Sequence, residues 1–339
     1  VDQANNFIID FLSVFLEAMP FIVLGALISG VLEELVPQQF FARVIPKNRV
    51  LAICVSALLG IVFPMCECGI VPIMRRLLRK GMPLGCAISY MLVGPIINVI
   101  VFASTYVAFM PHWAKGGVQI IWMRMVMGYI VGVSTALIVE KMHRKYGNDL
   151  LTDATRPDSG KDTTSLPVLD SDMIPVKAAH KAPPAPIMKR LGNISETALH
   201  DFLDISIFLT LGAVLASLTK QVLDPNAVAN YANQYPGMAI AGLMGLGILM
   251  CICSEADAFI AASFTQLHPS AKLAFLVLGP MFDLKLLMMY TRVFKPRLII
   301  VIVSSLLLHI FFLSLIVHYL WGVFGFPSPL HPLPTTPGS

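Results

Sequence analysis

The chain has 339 residues, of which 56% are hydrophobic and 13% charged, and its mean hydropathy is +0.76. A soluble domain carries about 25% charged residues, so this composition belongs in a lipid bilayer. A net charge of +4 is too small to argue for a nucleic-acid partner, and where the basic residues fall says more than their number.

Residues 1–6 are polar and lack the basic start of a signal peptide. Residues 7–32 are long enough to span a ~30 Å hydrocarbon core at about 1.5 Å per residue, although they carry Asp10, Glu17 and Pro20. Glu33, Glu34 and Pro37 end that segment. Lys47 and Arg49 precede residues 50–63, an apolar run of about 21 Å as a helix and too short to cross alone. Pro64-Met65-Cys66-Glu67-Cys68-Gly69 follows at once. Residues 69–78 then lead to a dense basic cluster, Arg75, Arg76, Arg79 and Lys80. Basic residues therefore flank both ends of 50–80. By the positive-inside rule both ends face the cytoplasm, which makes the segment a re-entrant hairpin. Polar backbone at its tip is tolerated only when buried in protein or lining a cavity. Residues 83–110 run outward with a break at Gly94-Pro95, and residues 118–139 return to Lys141, His143, Arg144 and Lys145.

Residues 146–195 are rich in Asp, Ser, Thr, Pro and Lys and read as a cytoplasmic, disordered linker. The second half repeats the first. Residues 202–218 go out, and 237–250 with 256–266 flank Met250-Cys251-Ile252-Cys253-Ser254-Glu255-Ala256-Asp257 as a second hairpin. Residues 272–290 run inward with a break at Gly279-Pro280, towards Arg292, Lys295 and Arg297. Residues 298–321 go out again. A shift of 185 residues lays Gly60 on Gly245, Cys66 on Cys251, Cys68 on Cys253, Gly94 on Gly279, Pro95 on Pro280 and Asn98 on Asp283. Residues of these types do not recur by accident at one offset, so the chain is internally duplicated. The expected organisation is membrane repeat 1 over 1–145, the linker over 146–195, membrane repeat 2 over 196–325 and a mobile tail over 326–339. Each repeat has about three transmembrane helices plus one re-entrant hairpin. Three is odd, so the fold is an all-α polytopic membrane protein of two inverted-topology repeats, with N- and C-termini outside. Such repeats with broken helices mark secondary transporters whose substrate site lies at the midplane.

Thiolates suit zinc, copper(I) and other thiophilic ions, and tetrahedral zinc also accepts carboxylate oxygen. The candidate metal ligands are Cys66, Glu67, Cys68, Cys251, Cys253, Glu255, Asp257 and Asp283. Asn98, Gly94, Pro95, Gly279 and Pro280 are the candidate substrate pathway. Cysteines in a C-x-C pair rarely bridge one another, because the ring is tight. Several bland readings stand beside this one. Cys54 and Cys86 read as buried packing residues. Lys285, two residues from Asp283, is placed to pair with it, and Glu17 and Arg124 are candidates for a structural intramembrane pair. His112, His268, His309 and His318 are scattered singly and are not expected to be ligands. Neither H-E-x-x-H nor G-x-x-x-x-G-K-[ST] occurs, so zinc proteolysis and direct ATP use are not expected, and the chain reads as a non-enzyme.

The run Cys66-Glu67-Cys68-Gly69, Val71-Pro72, a basic stretch, Gly81-Met82-Pro83 and Gly94-Pro95-x-x-Asn98 resembles the predicted-permease family that includes bacterial organoarsenical efflux permeases. The block Asp283-Leu284-Lys285 resembles that family's second half. The resemblance covers both membrane halves but not the linker or tail. It implies a bacterial inner-membrane permease for thiophilic metals or metalloids. The acids beside the thiols favour a divalent cation such as zinc over a neutral arsenical. No permanently bound cofactor is expected, only the transported metal ion. The expected partners are the lipid bilayer and the cargo, with a homodimer or an accessory membrane or periplasmic subunit left open. A trivalent arsenical permease, a membrane thiol-disulfide oxidoreductase and a passive channel are the competing readings.

Overall fold

A computed structural model of the chain describes residues 48–63, 65–79, 81–111, 117–152, 236–264 and 267–324, with isolated positions between 7 and 46 and between 192 and 218. The side chains of Cys68 and Pro72 lie outside the described part, as do Glu17, His112, most of the expected linker and the tail. Among the described residues the regular structure is helical, apart from one antiparallel bridge between Leu151 and Phe294.

The expected first hairpin arm is two short helices, α1 (Arg49–Ala57) and α2 (Leu59–Val62), meeting at a turn on Leu58. The returning arm is α3 (Glu67–Arg79). The broken span becomes α4 (Leu84–Val93) and α5 (Val99–Phe109), and α6 (Gly117–Tyr146) completes the first half. The second half comprises α7 (Pro236–Met250), α8 (Asp257–Ser263), α9 (Pro269–Met281), α10 (Leu284–Val293) and α11 (Pro296–Val323). In helix order, α1 and α2 correspond to α7, α3 to α8, α4 to α9, α5 to α10 and α6 to α11. Between the earlier and later helices, α3 packs on α10 and α8 on α5, while α6 packs on α11 and α4 on α9.

One break differs from the expectation. The sequence places the second interruption at Gly279-Pro280, but α9 runs through Pro280 and stops at Phe282. Pro280 cannot donate to the Leu276 carbonyl one turn back, but the amide of Phe282 reaches the Leu278 carbonyl at 2.8 Å, so the helix closes beyond the proline.

Gly117–Tyr146, Pro296–Val323 and the interrupted stretch Pro269–Val293 are long and apolar enough to cross a membrane. Only 33% of the apolar stretch of α11 is buried in the protein, against 83% for Pro269–Val293. The exposed part of α11 is the stripe Leu308, Phe312, Ile316, Tyr319 and Val323. On α6 the corresponding stripe is Val118, Trp122, Val126, Ile130 and Ile138. Apolar stripes of this extent need lipid as their solvent. The opposite face of α6 carries Gly128, Gly132 and Ala136 at four-residue spacing. Ile96 and Val93 of the first broken span close on the two glycines. Small residues let helices approach where lipid supplies no hydrophobic drive between them.

Two glycines related by the 185-residue shift are in different surroundings. A β-carbon on Gly60 would meet the Gly94 Cα at 2.6 Å and the Ile97 carbonyl oxygen at 2.8 Å, both backbone atoms that cannot rotate away. At Gly245 no described atom lies within 4 Å. Gly60→Ala is therefore expected to destabilise by about 1–3 kcal/mol through overpacking. Gly245→Ala is expected to be neutral or to stabilise by up to about 1 kcal/mol, the helix preference of Ala over Gly. Unfolding midpoints of the two variants in detergent, moving in opposite directions from wild type, check this.

Candidate functional site at the hairpin tips

Breaking a helix inside a bilayer exposes backbone N–H groups that lipid cannot satisfy. The sequence answers this with a polar cap at each break. Asn98 accepts from the amide of Val101 at 2.8 Å, and Asp283 accepts from that of Leu286 at 2.6 Å. Donor and acceptor are related by the same 185-residue shift in both cases. The Asn98 oxygen and the Oδ1 oxygen of Asp283 thus already cap helices, a structural duty that their candidate roles must share.

The two hairpin tips are non-helical. Before α3, Met65 and Cys66 are buried outside any helix, and Glu67 opens the helix with its carboxylate at the positive end of the dipole. Before α8, Cys251 to Cys253 are irregular, and Asp257 is the opening acid. Cys251 has φ +49°, a left-handed conformation uncommon for a residue with a β-carbon. Strain of this kind costs on the order of 1–3 kcal/mol and concentrates at ligand sites and switch regions.

Each opening acid is met by a cation from the other half of the chain. Lys285 Nζ stands 3.1 Å from Glu67 Oε1 and 3.6 Å from Asp283 Oδ2. The sequence pairs Lys285 with its neighbour Asp283, yet the shorter contact reaches Glu67, 218 residues away. Arg124 donates from Nη2 to Asp257 Oδ2 at 2.8 Å and to the Ser254 carbonyl at 3.1 Å, and from Nη1 to Thr105 Oγ1 at 2.7 Å. Glu17, the expected partner of Arg124, lies outside the described residues. Arg124, Asp257, Glu67, Asp283 and Lys285 are all buried.

One oxygen of each tip acid is left over. Glu67 Oε2 and Asp257 Oδ1 are buried with no hydrogen-bond partner among the described residues. Glu67 and Glu255 both lie within electrostatic reach of Asp257, so the two ion pairs share one local field. Glu255 is half-buried and accepts from Ser254 Oγ at 3.3 Å.

Cys66, Cys251 and Cys253 are buried thiols. Cys251 is close to Asp283 and Lys285 and to the first backbone amides of α10, and donates to the Ile248 carbonyl at 3.6 Å. Among the described residues no three His, Cys, Asp or Glu side chains are gathered as a ready-made metal cage. Gly94 and Pro95 are buried at the first break, and Gly279 and Pro280 are buried within α9. The sequence pairs Lys285 with Asp283, a contact present at 3.6 Å, but signals neither the shorter contact to Glu67 nor the pairing of Arg124 with Asp257. The available signal was that Arg124 has no acid on its buried helix within a turn or two, so its partner had to come from elsewhere in the chain.

The profile of a family described as predicted permease matches residues 3–319. The chain belongs to that family. It is 33% identical over 308 residues to the UPF0718 protein YcgR of Bacillus subtilis, covering 91% of this chain and 95% of that protein. It is 32% identical over 308 residues to a Streptococcus mutans protein named as a two-component membrane permease complex subunit, covering 91% and 93%. A UPF0718 protein of Methanocaldococcus jannaschii, MJ0584, is 25% identical over 142 residues, 41% of this chain and 38% of that protein. No solved structure matches the chain. The permease is thus a multi-pass membrane protein with buried polar residues at its interrupted helices.

Proposed function

We propose that the permease is a secondary transporter of a thiophilic metal ion, with zinc as the first candidate, handled where the two hairpin tips meet. The observation that carries this reading is the half-satisfied state of both tip acids. Glu67 and Asp257 each give one oxygen to a cation of the opposite half and keep a second buried oxygen without a described partner. Intramembrane acids are costly and functional by default, and a buried orphan oxygen is a place for a proton or a cation. The thiols of the same two tips supply the sulfur that zinc and its neighbours prefer.

On this reading the halves form inverted repeats, and Arg124–Asp257 and Lys285–Glu67 latch them together. Alternating access then requires those contacts to loosen as one half rocks against the other. Metal entry displaces thiol protons, and the orphan oxygens are where protons are taken up or handed on. The absence of a closed cage among the described side chains suits a cargo that must leave as readily as it enters. The proposed setting is a bacterial inner membrane with the linker in the cytoplasm. The name of the Streptococcus mutans relative supports an accessory subunit for this chain too.

A trivalent arsenical is the second reading. Lys285 and Arg124 offset most of the charge of Glu67, Asp257 and Asp283, leaving sulfur as the main attraction. Uptake of zinc, copper(I), cadmium and arsenite into vesicles carrying the wild type or C66S/C68S tests both. Loss of uptake of one cargo in the folded variant is expected, and unchanged uptake of all four overturns the assignment. Thiol alkylation separates transport from redox chemistry: metal protects the thiols in a transporter, whereas only oxidation protects them in an oxidoreductase.

A further inference from the structure

The structure joins two histidines that the sequence scatters 50 positions apart. His268 caps the first turn of α9, accepting at Nδ1 from the amide of Ser270 at 3.2 Å. His318 lies near the far end of α11. Their Nδ1 atoms stand 3.2 Å apart, with ring centroids at 4.2 Å. Ser270 Oγ completes a triangle, 2.9 Å from His268 Nδ1 and 3.3 Å from His318 Nδ1. Both rings are half-buried, and Trp321 stands edge-on to His268 at 6.1 Å.

We propose that His268, His318 and Ser270 form a binding site for a divalent transition-metal ion of imidazole preference, separate from the thiol-bearing tips. The triangle has the right size. At Zn–N lengths of about 2.0–2.1 Å, a tetrahedral ion holds its ligand atoms about 3.3 Å apart. Imidazole suits zinc, copper and nickel, and partial exposure leaves water to fill the remaining positions. The Nδ1 lone pairs face each other, so without metal one nitrogen must carry the proton between them. Because His268 Nδ1 accepts from the Ser270 amide, that proton belongs to His318. An incoming ion takes the place of the proton, which moves to Nε2 of His318. The α9 cap hydrogen bond is exchanged in the process, which sets the affinity below that of a structural site.

The position gives the site a use. Residues 268 and 283 are about 22 Å apart along the α9 direction. His318 also sits about 32 Å along α11 from its basic start at Arg297. The site therefore lies at the end of α9 and α11 opposite Arg292, Lys295 and Arg297, where an ion could be held away from the tips. The site does not depend on the thiol reading.

Nickel(II) titrated into the purified full chain in detergent tests this. It should quench tryptophan fluorescence and raise the unfolding midpoint, as a ligand specific to the native state must. H318Q leaves the His268 cap in place and should weaken nickel binding by about tenfold or more, since even outer-shell partners contribute that much. W321F should lose most of the quench while keeping the midpoint shift. C66S/C68S should bind nickel as the wild type does. No binding to the wild type, equal binding to H318Q, or loss of binding in C66S/C68S each overturns the proposal. The last result would leave the thiol site standing, so the two readings fail separately.

Discussion

Arg124→Met is expected to destabilise the permease by about 3–5 kcal/mol, the usual cost of removing one partner of a buried ion pair. The guanidinium serves Asp257, the Ser254 carbonyl and Thr105 together, so its loss strips the second hairpin tip of its anchor to the first half. The larger part of the cost comes from Asp257, left with a negative charge and no counter-ion in a dry interior. Replacing that acid as well, in R124M/D257L, should recover most of the stability, because apolar residues often replace a buried pair without loss. A double-mutant cycle on detergent unfolding curves reads the coupling. Additive single effects would show that the pair is not coupled. If Asp257 carries protons or cargo, the recovered double variant should fold and fail to transport.

Lys285→Met should have a comparable effect, about 3–5 kcal/mol, on the first tip. It leaves two carboxylates, Glu67 and Asp283, buried without their shared cation. The geometry ranks the rescues. Glu67→Gln in the Lys285→Met background should restore more stability than Asp283→Asn, because the ammonium sits 3.1 Å from Glu67 and 3.6 Å from Asp283. Asp283 also keeps the amide of Leu286 as a partner when the lysine is gone. The reverse ranking in unfolding midpoints would show that Lys285 serves its sequence neighbour first.

Much of this architecture is legible in the chain before any coordinates. The solvent follows from composition, and the expected duplication rests on Cys, Gly and Pro recurring at one offset. The breaks follow from Pro64, Gly94-Pro95 and the polar residues after them, because a bilayer tolerates interrupted backbone only where protein satisfies it. The second break fell three residues later than Gly279-Pro280 suggests. Whether a helix stops before a proline or carries it in its last turn depends on the packing around it, which the local sequence does not contain.

The pairing of charges was not legible in the same way. Sequence proximity points Lys285 at Asp283, and only the packing of α3 against α10 brings Glu67 nearer. Arg124 has its acid 133 residues away, and His268 finds His318 because α9 and α11 lie side by side. Composition and periodicity are properties of each segment and survive without a fold, so the chain alone determined that these are membrane helices bearing thiols and acids. Which cation holds which acid, and which oxygens are left over, are properties of contacts between segments. Only the tertiary structure decides them, because a buried charge takes the partner that packing delivers to it.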